Sequence, residues 1–182
     1  MHQIAVIAGH RGSGSGAHGV FDEAAETIAL RDLVVLELSM RGVAPITDCS
    51  DSASLSEVFD HLRRQLSQYD ICIDIHFNAV SDPRASGSEV IVPNDYSADE
   101  WHIAEKILTG LCAIMHTRNR GVKREGSINR SLRMLQLPCR TMILEVCFCT
   151  NQADANAYFA NRAAIAQHIA DVLIRYARSD KY

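Results

Sequence analysis

The sequence predicts an α/β fold. It is read as a single domain over residues 1–182, with a central, mostly parallel or mixed sheet of about six strands and helices on both faces. Three observations predict this. Short β-branched apolar runs alternate with segments whose apolar residues recur at helical spacing, the pattern of a sheet wrapped by helices. A chain of 182 residues, 47% hydrophobic and 22% charged, suits one core. No repeat, linker or low-complexity tract divides it.

The first strand is Gln3–Ala8, which runs into a loop holding Gly9, Gly12, Gly14, Gly16 and Gly19. These glycines permit positive φ and close backbone approach. The loop is neither G-x-x-x-x-G-K-[ST] nor G-x-G-x-x-G, so it is no nucleotide-phosphate cradle. It carries His10 at the strand end and His18 further on. A helix is expected from Val20 to about Ser39, with Ala25, Ile28, Leu33 and Leu36 on its apolar side and Gly42 ending it. Val43–Thr47 reads as a short strand. Ser54 and Glu57 form a capping box for a helix carrying Leu55, Val58, Phe59, Leu62, Leu66 and Tyr69.

The stretch Asp70–Ala79 reads as a buried strand. Ile71, Ile73, Ile75 and Phe77 fall on one side; Cys72, Asp74, His76 and Asn78 fall on the other. His76 therefore sits near a strand end, where open α/β sheets form their binding crevice. Ser88–Val92 is a further strand stopped by Pro93, and Ser97 with Glu100 caps a helix burying Trp101, Ile107 and Leu111. Arg118–Arg124 reads as a solvated charged loop, 125–131 as a flexible loop and Met134–Leu137 as a short strand. Thr141–Phe148 is a strong strand with Glu145 inside it, and a buried carboxylate needs a partner or a task. Asn151 is expected to cap a short helix to about Tyr158. Asn161 is expected to cap a last one with Ile165, Ile169, Val172, Leu173 and Tyr176 inward.

The net charge of −4 and pI near 6.0 argue against nucleic acid as a partner. No apolar run approaches the roughly 20 residues of a membrane span. Ile4–Ala8 is too short for the apolar part of a secretory leader, so a chain starting naturally at Met1 is expected to be made and kept in the cytosol. The six cysteines include no C-x-x-C pair and read as reduced, mostly buried residues.

Four groups thus lie at strand ends or just beyond: His10, Glu23, His76 and Glu145. Two histidines and a carboxylate suit a catalytic zinc shell, and a further carboxylate suits a general base. Glu26, one helical turn on, rivals Glu23; His18 is a weaker rival. Asp74 shares a strand face with His76, where two readings are open: it orients the second nitrogen of His76, or it is a satisfied core polar group.

Six segments, in order, resemble the zinc-dependent N-acetylmuramoyl-L-alanine amidases, a cell-wall family that includes many phage endolysins. Ala8-Gly9-His10 with its glycine loop and Gly16-Ala17 resembles the first metal motif, and Gly19–Glu23 the segment giving the second ligand. Ile75–Ala79 resembles the third. Gly87–Val90 looks like G-[ST]-E-V, and Asn119–Lys123 like N-R-G-V-K. Leu144–Phe148 with Thr150-Asn151 is similar to the segment bearing the catalytic Glu. The likeness spans residues 5 to about 155. Cys147 departs from a common glycine, Arg140 from a frequent proline, and 124–132 matches no pattern.

The resemblance implies a phosphorylase/hydrolase-like fold. It implies hydrolysis of the amide between N-acetylmuramic acid and L-alanine in peptidoglycan, for wall degradation or host lysis, after release from the cytosol. It assigns Zn2+ to His10, Glu23 and His76, catalysis to Glu145, and substrate binding to Asn78, Arg120 and Lys123. Two alternatives stay open: another zinc amide hydrolase such as a stem-peptide peptidase, or a catalytically silent wall-binding domain.

Overall fold

The computed structural model describes residues 1–12, 14–128 and 131–179. Ser13 of the glycine loop, residues 129–130 of the loop expected at 125–131, and residues 180–182 lie outside the described residues.

The buried run at Ile71–Asn78 forms a central strand, β2. Ile4–Ala8 (β1) and Arg140–Phe148 (β5) flank it, both parallel to it. Ser88–Val92 (β3) pairs antiparallel with β5, and Asn119–Arg124 (β4) lies parallel to β3 at the far edge. The sheet is therefore mixed and five-stranded, in the order β1-β2-β5-β3-β4. Strands β1, β3 and β5 are buried at every position, which is why they read as apolar runs.

Two expected strands are not strands. Val43–Thr47 contributes only a bridge between Ala5 and Ile46, and Met134–Leu137 falls largely in a 3-10 turn, Arg133–Gln136. Conversely, the expected charged loop contains β4. Charged side chains are typical of an edge strand, where they discourage pairing with another chain.

The helices are Glu23–Met40 (α1), Leu55–Arg63 (α2), Ala98–Met115 (α3) and Gln152–Ala177 (α4). Both capping boxes are present, at Ser54/Glu57 and Ser97/Glu100. Helices α1, α3 and α4 cover one face, packing Leu30, Val34, Leu38, Ile107 and Leu173 on Val6, Ile73, Ile75 and Leu144. On the other face, α2 and the 3-10 turn cover Ala5, Ile7 and Cys72. The two helices expected near the C-terminus are one 26-residue helix. Asn161 lies inside it, its amide donating to the Ala157 carbonyl at 2.8 Å.

The apolar side expected for α1 is also displaced. Asp22 is its N-cap, Ala25 and Leu36 are exposed, and the buried positions are Glu23, Ala24, Thr27, Leu30, Arg31, Val34 and Leu38. The buried face is polar at three positions, which hid it from a hydrophobic pattern. Among the described residues, no helix is long and apolar enough to cross a membrane.

Candidate metal centre and catalytic cleft

Strand β1 ends at Ala8, and the Gly9 amide donates to the Ile75 carbonyl at 2.8 Å. This hydrogen bond holds the chain beside β2 for one more residue, so His10 emerges next to His76. The two imidazoles meet edge to face, centroids 5.0 Å apart. Glu23, the first residue of α1, is buried between them. Its Oε1 lies 3.6 Å from His10 Nε2 and 3.4 Å from His76 Nδ1. Backbone amides fix the carboxylate: Phe77 donates to Oε1 at 3.0 Å and Ala17 to Oε2 at 2.7 Å. One donor atom from each of His10, Glu23 and His76 lies within 4.8 Å of the others. Among the described residues this is the only such group.

Electrostatics follow from this crowding. Burial alone would raise the Glu23 pKa, but hydrogen bonds from His76, Phe77 and Ala17 outweigh it and hold the carboxyl below its usual range. Burial chiefly lowers the His10 pKa. Burial also acts to lower that of His76, but Asp74, Glu23 and Glu145 together hold it well above the usual value. Asp74 Oδ2 stands 3.3 Å from His76 Nε2.

Glu145 lies on β5 directly beside His76 in the β2–β5 register and beside Glu89 in the β3–β5 register. A cleft of about 380 Å³ is lined by His10, Gly16, Glu23, His76, Asn78 and Glu145, among others. A second hollow, about 160 Å³, shares Asn78 and Glu145 and extends to Glu89 and Ile91. A larger cavity of about 550 Å³ contains Pro93, Glu100 and Arg140, at the opposite ends of these strands, and has no histidine in its lining.

The rival residues lie elsewhere. Glu26 accepts from Tyr158 Oη at 3.0 Å and Arg162 at 2.9 Å, packing α1 against α4. His18 pairs with Asp22 at 2.8 Å and is largely exposed. Cys147 and Cys149 are buried thiols whose pKa values burial pushes up, that of Cys149 to about 11.

Residues 4–175 match the family described as N-acetylmuramoyl-L-alanine amidase. The chain belongs to the N-acetylmuramoyl-L-alanine amidase family. It is 30% identical to the N-acetylmuramoyl-L-alanine amidase LytC of Bacillus subtilis, over 91% of this chain and 34% of that protein. It is 29% identical to the uncharacterized Bacillus subtilis protein YqiI, over 84% of this chain and 73% of that one. In fold it is similar to an N-acetylmuramoyl-L-alanine amidase from Clostridium difficile 630, with a TM-score of 0.83, 15% identity and 99% of each chain covered.

In this amidase domain the expected substrate-binding cations are not isolated. Arg120 Nε and Lys123 Nζ both donate to Glu89 Oε2, at 2.6 and 2.7 Å, and Asn78 donates to Glu89 Oε1 at 3.1 Å. The Arg120 guanidinium also lies over the Phe148 ring, 4.9 Å from its centroid. Sequence reasoning gave Glu89 no role. The signals were a carboxylate within an apolar strand, as at Glu145, and its place as the Glu of the Gly87–Val90 segment that resembles G-[ST]-E-V.

Proposed function

We propose that this amidase domain cleaves the bond between the lactyl group of N-acetylmuramic acid and L-alanine in peptidoglycan, with zinc held by His10, Glu23 and His76. The observation that carries this reading is the convergence of those three side chains in one cleft with Glu145 on the adjoining strand. Two imidazoles and a carboxylate match the donor set of catalytic zinc sites. Zinc bound there would polarise the scissile carbonyl and acidify the attacking water.

The protein groups do the rest. Glu145 accepts a proton as the water oxygen bonds to the carbonyl carbon. It returns that proton to the nitrogen as the C–N bond breaks, freeing the amino group of L-alanine and leaving a carboxyl on the lactyl group. Asp74 holds His76 in place. Arg120 and Lys123 both pair with Glu89 beside the cleft, and their remaining donors suit stem-peptide carboxylates.

Digestion of purified peptidoglycan with mass analysis of the products tests the reading. The expected products are stem peptides with a free L-alanine amino group and glycan strands with free lactyl carboxyls. Fragments that leave L-alanine on muramic acid would identify a stem-peptide peptidase instead. Absence of products would identify a silent wall-binding domain.

A further inference from the structure

Three buried polar residues lie on one face of α1 at intervals of four: Glu23, Thr27 and Arg31. A spacing of four places them one above another along the helix. Glu23 faces the two histidines. Thr27 Oγ1 donates to the His10 carbonyl at 2.9 Å. Arg31 Nη1 donates to Asp48 Oδ2 and to Asp51 Oδ1, the latter at 2.8 Å.

Asp48 also reaches β1. Its Oδ2 accepts from the Ala8 amide at 3.2 Å, and Arg11 Nη1 lies 3.4 Å from its Oδ1. Arg11 Nη1 donates to the Ala8 carbonyl as well. Ile46 lies along the open edge of β1, its carbonyl accepting from Val6 at 2.9 Å and its amide donating to the Ile4 carbonyl at 2.8 Å. Where that pairing stops, the Asp48 side chain takes over as acceptor for the next outward amide of β1. The Ala8 amide is thus held by Asp48, its carbonyl by Arg11, which lies against Asp48 and also donates to the Ala53 carbonyl at 3.4 Å, and the His10 carbonyl by α1.

The side chains of Asp48, Arg11 and Arg31 are 0, 4 and 7% exposed. Removing such charges from water is costly, and buried ion pairs are often no more stabilising than apolar packing. What this network does is geometric. It fastens the segment that carries His10 to the helix that carries Glu23.

We propose that Asp48 and Thr27 are positioning residues for the metal centre, fixing the His10 backbone relative to Glu23 before any metal binds. This rests on the metal reading above. The test compares wild type with Asp48→Asn, Thr27→Val and a control, Leu173→Ala, which weakens the core away from the cleft. Zinc affinity is measured by competition with a chelator, well below each melting temperature. Hydrogen exchange at residues 8–11 is measured in the metal-free proteins.

Asp48→Asn is expected to lose about tenfold or more in zinc affinity, the scale on which supporting residues of metal ligands act. Exchange at residues 8–11 is expected to quicken even without metal. Leu173→Ala should keep wild-type affinity despite a lower melting temperature. Thr27→Val, an isosteric change, is expected to show a smaller loss in the same direction. It decides the matter if Asp48→Asn does not fold. Wild-type affinity and exchange in the folded variants overturn this inference alone. A wild-type protein with no zinc affinity overturns the metal reading itself, and with it the positioning role.

Discussion

The His76 imidazole lies so close to Gly9 that a Cβ at that position would stand 2.1 Å from Nε2. Gly9 is therefore required by the approach of the ring, not by its own backbone angles. Gly9→Ala must displace either His76 or the start of the glycine loop. Overpacking of this kind typically costs about 1–3 kcal/mol. The expected outcome is a folded protein with a modestly lower melting temperature and zinc binding weakened far beyond the stability loss. Calorimetry and chelator competition on the same preparation check it.

Glu23 and Glu26 separate by function. Glu23→Gln removes the buried charge between His10 and His76 and is expected to lower zinc content below one ion per chain by elemental analysis. Glu26→Gln weakens hydrogen bonds to Tyr158 and Arg162 that join α1 to α4. It should keep its zinc and lose on the order of 1 kcal/mol of stability. The reverse order of zinc loss would transfer the ligand role to Glu26.

A pH effect follows from Glu89. Burial works to raise its pKa, but Lys123 and Arg120 outweigh burial and hold it below the ordinary glutamate value of 4.5. A carboxyl whose folded pKa is depressed stabilises the fold above its unfolded pKa and loses that contribution as pH falls through the folded value. Glu89→Gln is therefore expected to melt lower than wild type at pH 7. The gap should close as pH drops below about 4.5. Melting curves of both proteins from pH 7 to pH 3 check this; a gap that stays constant would contradict it.

These sites differ in how far the sequence alone reveals them, and the reason is locality. The capping boxes at Ser54/Glu57 and Ser97/Glu100 are short-range chemistry and are legible residue by residue. His10 and His76 are legible as polar residues at the ends of apolar runs. The buried face of α1 is not, because Glu23, Thr27 and Arg31 occupy positions where a hydrophobic pattern demands apolar side chains. Strand β4 escapes for a related reason: its half-exposed edge residues include charged side chains, so no apolar alternation marks it. The pairing of Glu89 with Arg120 and Lys123 joins residues 31 and 34 positions apart, and only the β3–β4 register brings them together.

Glu145 is the residue on which the proposed chemistry depends most directly. A carboxylate within a buried strand has two plausible tasks, anchoring the strand or taking a proton. Glu145 lines the cleft beside His76. Glu145→Gln keeps the shape of the side chain and removes the proton acceptor. General base action is typically worth about 10²–10⁴-fold, so turnover on peptidoglycan should fall by at least roughly a hundredfold. Zinc content and melting temperature should stay near those of wild type. An anchoring role reverses the pattern, lowering the melting temperature while each folded molecule keeps its activity. Turnover, zinc content and melting temperature measured on this one variant distinguish the two, and a zinc-loaded Glu145→Gln with full activity ends the proposed mechanism.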